Sequence, residues 1–210
     1  MKVVAFNGSP KKEGNTYQAI RMVAEELEKE GIEVEIVHVG DKVIRGCMAC
    51  GGCFRNGDSH CVVKNDPVNE YIDKMIEADG VILGTPVHYA AIGGTMKSFL
   101  DRAFYALASD KLRHKVGAAV VAVRRSGGVP TFNQLGNYLS YKEMLVPATN
   151  YWNVIHGAMP GDVQKDEEGK QIMRVLGKNM AWILQSIQAA KAAGINPPER
   201  ERRELMNFIR

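Results

Sequence analysis

Cys47, Cys50, Cys53 and Cys61 are the four cysteines of a 210-residue chain, and they fall in one segment with the pattern C-x2-C-x2-C-x7-C. Thiolates at x2 spacing turn inward around a shared centre. That arrangement suits an iron–sulfur cluster, for which a [4Fe-4S] group needs four such ligands. Zinc is the second reading, although zinc sites more usually show two separated C-x2-C pairs. The third reading is a loop whose cysteines are merely structural. Gly51 and Gly52 permit tight wrapping in any of these cases. Cys61 is the weakest of the four assignments, because it stands seven residues from Cys53 and precedes Val62 rather than proline. His60 is the alternative fourth ligand, against the plainer reading of an exposed loop histidine.

Composition narrows the setting for this chemistry. Hydrophobic residues make up 45% and charged residues 24%, as in an ordinary soluble domain. The net charge of +3 is too small to argue for a nucleic-acid partner. The longest apolar run, Val116 to Val123, falls far short of a membrane span. The chain enters an apolar run directly after Met1-Lys2, without the pattern of a secretory leader. The expectation is a cytoplasmic protein with reduced or metal-bound thiols and no membrane partner.

The elements that must position the cysteines follow from periodicity. Short apolar runs at Lys2–Phe6, Glu33–Val39, Gly80–Gly84, Lys115–Val123 and Thr149–Ile155 read as strands. Helical spacing fills the intervals: Thr16–Glu30, Asp66–Ala78, Thr95–Tyr105, Thr131–Met144 and a long final helix, Gly169–Ala193. Strict alternation of strand and helix predicts a doubly wound parallel sheet with helices on both faces. Five strands suit the order 2-1-3-4-5. The expected organisation is one α/β domain over 1–193, with a cysteine loop at 40–65 after strand 2. A C-terminal arm over 194–210 would end in apolar Leu205, Met206, Phe208 and Ile209. His38, His114 and His156 read as core or surface residues, Trp152 and Trp182 as packing residues.

In that strand order a ligand binds beyond the carboxyl ends of the strands, where the order reverses. Three loops meet there. The first, Gly8 to Thr16, opens a helix and offers Ser9, Lys11, Gly14, Asn15 and Thr16 to an anion such as a terminal phosphate. It matches neither G-x-G-x-x-G nor a P-loop. The alternative is a plain helix cap. The second loop, Thr85 to Gly94, combines Pro86, Val87, His88 and Tyr89 with Gly93, which allows a flat ring to approach. The alternative is a surface turn with a half-buried tyrosine. The third, Arg124-Arg125-Ser126-Gly127-Gly128, brings a guanidinium and backbone N–H groups, or is simply a solvated basic turn.

The stretches FNGSPKKEGNT and ADGVILGTPVHYAAIGGTMKSFLDRAF, with the cysteine loop between them, resemble the flavodoxin-fold NAD(P)H-dependent FMN reductase superfamily over roughly residues 1 to 155. The C-x2-C-x2-C-x7-C insertion is similar to that of its iron–sulfur flavoprotein branch. The resemblance implies a flavodoxin-like fold. It implies FMN, with its phosphate at Ser9, Lys11, Gly14, Asn15 and Thr16. The ring would lie beside Pro86, Val87, His88, Tyr89 and Gly93, with Arg124, Ser126 and Gly127 near the pyrimidine edge. It also implies a [4Fe-4S] cluster on the four cysteines, and a helix Met96–Arg102 that serves structure or a subunit contact.

Three function classes follow. The first is an FMN-dependent oxidoreductase with a [4Fe-4S] cluster, passing electrons from a donor such as ferredoxin to a small-molecule acceptor. The second is an NAD(P)H-dependent FMN or quinone reductase without a cluster. The third is a flavodoxin-like carrier that only docks protein partners. In all three the flavin, not a side chain, carries the redox step. A homodimer or homotetramer would let the cluster of one subunit face the flavin of another.

Overall fold

The computed structural model describes the chain except for Ser109, Arg202, Arg203, Leu205, Asn207, Ile209 and Arg210. The elements run β1 (Lys2–Asn7), α1 (Asn15–Lys29), β2 (Glu33–His38), α2 (Gly52–Asn56), α3 (Val68–Glu77), β3 (Gly80–His88), β4 (Ala91–Ile92), α4 (Gly94–Ala106), β5 (Val116–Val123), α5 (Gly128–Tyr141), β6 (Val154–His156), a 3-10 turn (Asp162–Lys165) and α6 (Glu167–Ala192).

The sheet order is β2-β1-β3-β5-β6, with β4 antiparallel on β3. The expected order 2-1-3-4-5 is therefore corrected to 2-1-3-5-6. The extra strand arises because β3 runs on to His88 and folds back through Tyr89 and Ala90. Both turn residues have positive φ, 51° and 58°. This matches the backbone demand of a two-residue hairpin turn, usually met by Asn-Gly.

Side-chain alternation along the strands divides the core in two. Val3 and Ala5 of β1 face α1 and α6, together with Ile82, Val116, Ala118, Val120, Ile20, Val23, Leu27, Met173, Leu176 and Met180. Val4 and Phe6 face α3, α4 and α5, together with Leu83, Val121, Ile72, Met75, Phe99, Leu100, Leu135 and Leu139. All eight residues of β5 are buried, as a central parallel strand covered on both faces requires. Each large side chain removed from water here stabilises the fold by roughly 1.5–3 kcal/mol. Where α1 crosses α6, a Cβ on Gly177 would lie 2.7 Å from the Val23 carbonyl oxygen, so the crossing needs glycine.

Two further expectations shift. The predicted strand Thr149–Ile155 shrinks to Val154–His156. The Asn153 side chain donates to the Ala119 carbonyl at 3.0 Å, and Thr149 turns inward to the Asn153 side chain at 2.8 Å, so 149–153 folds on itself instead of extending the ladder. The cysteine segment is not wholly loop. It contains the short helix α2, bracketed by Gly51 and Gly57, both in the left-handed region. Trp152 and Trp182, expected to pack, are 46% and 69% exposed, and Trp152 meets the neighbouring Tyr151 ring edge-on, with centroids 4.5 Å apart. In the C-terminal segment, Met206 and Phe208 are exposed, whereas Leu205 and Ile209 lie outside the described residues.

Candidate functional site

The three sequence-predicted loops do meet at the carboxyl ends of β1, β3 and β5. Gly8 donates its N–H to the Gly84 carbonyl at 2.8 Å, which ties the first loop to β3. A Cβ on Gly8 would strike Met96 at 2.6 Å. Gly93, the residue before α4, lies against the Gly8 carbonyl, Thr85 and the His88 ring. Gly127 (φ 90°) closes the other side, where a Cβ would meet Ala90 at 2.8 Å and Val87 at 3.0 Å. At Gly8 and Gly127 protein atoms already stand where a Cβ would be, so glycine lets the three loops pack closely together.

The first loop is pinned from within. Asn7, fully buried at the end of β1, accepts from the Ser9 N–H at 3.1 Å and donates to the Lys12 carbonyl at 2.9 Å. Ser9 Oγ accepts from the Lys11 N–H at 3.1 Å. His38 Nε2 donates to the Ser9 carbonyl at 2.8 Å. A carbonyl can only accept, so that nitrogen carries the proton. Asn15 is engaged with a different segment. Its amide donates to the Met159 carbonyl and accepts from the Gly161 N–H, each at 2.9 Å. Gly14 and Thr16 are buried and Lys11 is exposed. Neither Asn7 nor His38 stood out in the sequence, because an asparagine closing a strand carries no pattern of its own.

Around the second loop, Pro86 and Val87 are half-buried, and His88 and Tyr89 are exposed. Thr85 Oγ1 accepts from the Gly93 N–H at 3.1 Å, and Gln134 of α5 accepts from the Ile92 N–H at 3.3 Å. The third loop leaves Arg124, Arg125 and Ser126 exposed and Gly127 half-buried.

Residues 1–158 match the family described as NADPH-dependent FMN reductase. The chain belongs to that family. It is 35% identical over 195 residues to an iron-sulfur flavoprotein of Methanocaldococcus jannaschii, covering 90% of this chain and 100% of that protein. Among solved structures it resembles RosB with bound 8-demethyl-8-formylriboflavin-5'-phosphate, at a TM-score of 0.71 and 16% identity, covering 100% of this chain and 93% of that one. It also resembles a flavodoxin from the domain Archaea, at a TM-score of 0.58 and 16% identity, covering 88% and 99%. The fold is flavodoxin-like, and the protein is a flavin-dependent oxidoreductase. Among the described residues no helix is long and apolar enough to cross a membrane.

The four cysteines are a second group of candidate residues. Cys47, Cys50, Cys53 and Cys61 line one small pocket with Gly46, Gly51, Val62, Val63 and Arg102. None is in a disulfide. Cys47 and Cys50 are exposed, and Cys53 and Cys61 are half-buried. Burial pushes the Cys53 thiol above its ordinary range, and neighbouring Cys61 and Cys47 add to the shift. Among the described residues no group of three or more His, Cys, Asp or Glu side chains is arranged to hold a metal ion. The donor set, four thiols around one cavity, is nevertheless of the kind that holds an iron–sulfur cluster. His60 turns away to Asp73 of α3, with Nε2 2.8 Å from Oδ1, and is absent from the pocket lining. Past Cys53 a broader concavity is lined by Phe54, Tyr105, Tyr138, Tyr141, Lys142 and Arg113.

Arg102 is a further residue that the sequence did not single out. Arg102 of α4 was expected in a structural helix or at a subunit contact. It is 2% exposed and turned into the cysteine segment. It pairs with Asp66 and donates to the Val63 carbonyl at 3.1 Å. Burial works against its charge, and Asp66 and Cys61 more than restore it.

Proposed function

We propose that this protein is an iron–sulfur flavoprotein that carries electrons between a one-electron donor such as ferredoxin and a small-molecule acceptor. The reading rests on one observation above all: the four thiols of the C-x2-C-x2-C-x7-C segment line one pocket. The FMN phosphate is assigned to Ser9, Lys11, Gly14, Asn15 and Thr16 at the start of α1, where N–H groups and the helix dipole favour an anion. Pro86, Val87, His88, Tyr89 and Gly93 line the ring, and Arg124, Ser126 and Gly127 its pyrimidine edge. Cys47, Cys50, Cys53 and Cys61 are the ligands of a [4Fe-4S] cluster. When bound, the cluster supplies single electrons and the flavin exchanges them in pairs with the acceptor.

The chain's own residues bind and shape. The Asn7 and His38 hydrogen bonds fix the first loop before any ligand arrives, which lowers the ordering cost of binding. The hairpin tip Tyr89-Ala90 packs directly on Gly127, which ties the second loop to the third. The exposed apolar Met206 and Phe208 support the reading of 194–210 as an arm to a second copy, in a homodimer or homotetramer. Sedimentation of the intact holoprotein as a clean monomer overturns that part.

A second reading is an NAD(P)H-dependent FMN or quinone reductase without a cluster. It is favoured by the matched family's description and by the thiols not being grouped to hold a metal. Protein purified without oxygen separates the two. Iron and sulfide in equal amounts beside flavin support the iron–sulfur reading. Flavin without iron, bleached rapidly by NADPH, overturns it in favour of the reductase.

A further inference from the structure

The fourth cysteine departs most from familiar spacing, yet it is the one most firmly held. Its backbone is gripped by one side chain. The Cys61 N–H donates to Asn69 Oδ1 at 2.8 Å, and the Asn69 amide donates back to the Cys61 carbonyl at 2.8 Å. Asn69 sits in the first turn of α3, so the grip comes from a rigid element rather than the loop itself. The sulfur is approached from a second direction. Arg102 Nε points at Cys61 Sγ at 3.4 Å. The same guanidinium reaches the Arg45 carbonyl at 3.4 Å and the Val63 carbonyl at 3.1 Å, so it spans the entry and exit of the cysteine segment. Asp66, whose side chain is 5% exposed, neutralises it there.

We infer that Asn69 and Arg102 are positioning residues for Cys61. Asn69 fixes its backbone as a ligand, and Arg102 hydrogen-bonds its sulfur and thereby sets the potential of the cluster. The physical reason is direct. A buried cation donating to a ligating thiolate offsets the negative charge gained on reduction, and hydrogen bonds to the sulfurs are among the main controls of cluster potential. The fork geometry matters. Arginine presents several donors in one plane and can serve two carbonyls, a carboxylate and a sulfur together, whereas lysine is a point charge on a flexible stem. The inference rests on the cluster reading above, and the experiment separates the two.

The experiment compares the wild-type holoprotein with Arg102→Lys and Asn69→Ala, all purified without oxygen. Iron, sulfide and FMN contents are measured, with the cluster potential from a redox titration followed by electron paramagnetic resonance. Hydrogen exchange at the Cys61 amide is followed in metal-free protein. Wild type without iron sinks the cluster reading itself. With iron in the wild type, Arg102→Lys is expected to keep FMN and shift the cluster to a more negative potential. Asn69→Ala is expected to release iron to a chelator at least tenfold faster and to lose protection at the Cys61 amide. An unshifted potential in Arg102→Lys overturns the role of Arg102, whatever happens to iron content. Should that buried substitution not fold, Asn69→Ala still decides: wild-type iron release and wild-type amide protection overturn the inference.

Discussion

A Cβ on Gly40 would lie 2.1 Å from the carbonyl oxygen of Ser9. The chain leaving β2 toward the cysteines therefore passes directly over the first loop of the flavin crevice, and the Gly40 N–H donates to the Asn7 carbonyl at 3.1 Å. The clash is with backbone, which cannot swing aside. Gly40→Ala is expected to destabilise the fold by about 1–3 kcal/mol and to weaken FMN binding, because the displaced atoms belong to that loop. Gly136, within α5, has open space around its Cβ position and no positive φ. Gly136→Ala is expected to raise stability by roughly 0.5–1 kcal/mol with flavin affinity unchanged. Denaturant titration and flavin fluorescence quenching check both.

Asn15 belongs to the stretch assigned to the phosphate, yet its side chain spans to Met159 and Gly161. This joins the start of α1 to the segment after β6. Asn15→Ala is expected to cost about 1–2 kcal/mol through two lost hydrogen bonds. Flavin affinity should fall less than in Ser9→Ala combined with Lys11→Ala. Isothermal titration with FMN decides; a larger loss for Asn15→Ala would place its amide on the phosphate itself.

The sequence made α1, α6 and β5 legible because apolar spacing in these elements is dictated by burial: Ile20, Val23 and Leu27, or Ile172, Leu176 and Met180, fall on one stripe. What it hid depends on long-range partners. The β3–β4 hairpin lacked its usual glycine, since Tyr89 and Ala90 take positive φ instead. Arg102 read as one charge among several on α4, and only the return of the cysteine segment, 36 to 57 residues away in sequence, buries it. The convergence of three loops was legible from strand order alone. The pinning of the first by Asn7 and His38 was not, because an asparagine or a histidine that ends a strand has no periodic signature.

Lys142 makes stability depend on pH in the alkaline range. It is 3% exposed and donates to the Leu107 carbonyl at 2.6 Å at the end of α4. Burial pushes its amine from the ordinary 10.5 down to about 8, and Arg200 adds to the shift. Below about 8 the amine is protonated in folded and unfolded chains alike, so the full cost of burying the charge opposes folding. Between about 8 and 10.5 the unfolded chain binds the proton and the folded chain does not, so stability rises with pH across that window. The rise attributable to this group is at most about 2 kcal/mol, with allowance for screening by solvent in the concavity that Lys142 lines. Lys142→Met should abolish it. Denaturation midpoints for both proteins at pH 7, 9 and 10 read the difference; parallel curves would show that the amine stays charged against Leu107.

Cys50 offers the cleanest separation of cluster from flavin. It is exposed, and its backbone carbonyl, not its sulfur, accepts from Arg55 at 3.0 Å. Removing the thiol leaves that bond and the core untouched, so the change in stability of the metal-free fold should stay within about 0.5 kcal/mol. The Asn7, His38 and Gly93 contacts around the crevice share no atom with it. Cys50→Ala is therefore expected to lose its iron and brown colour while retaining FMN near wild-type occupancy. Rapid reduction of its flavin by ferredoxin should be lost as well, since the route for single electrons is gone. Absorbance spectra with iron, sulfide and flavin assays check the first part, and anaerobic stopped-flow reduction the second. Equal loss of iron and flavin would mean that the two groups share one binding site, and the crevice between the three loops would then need a different occupant.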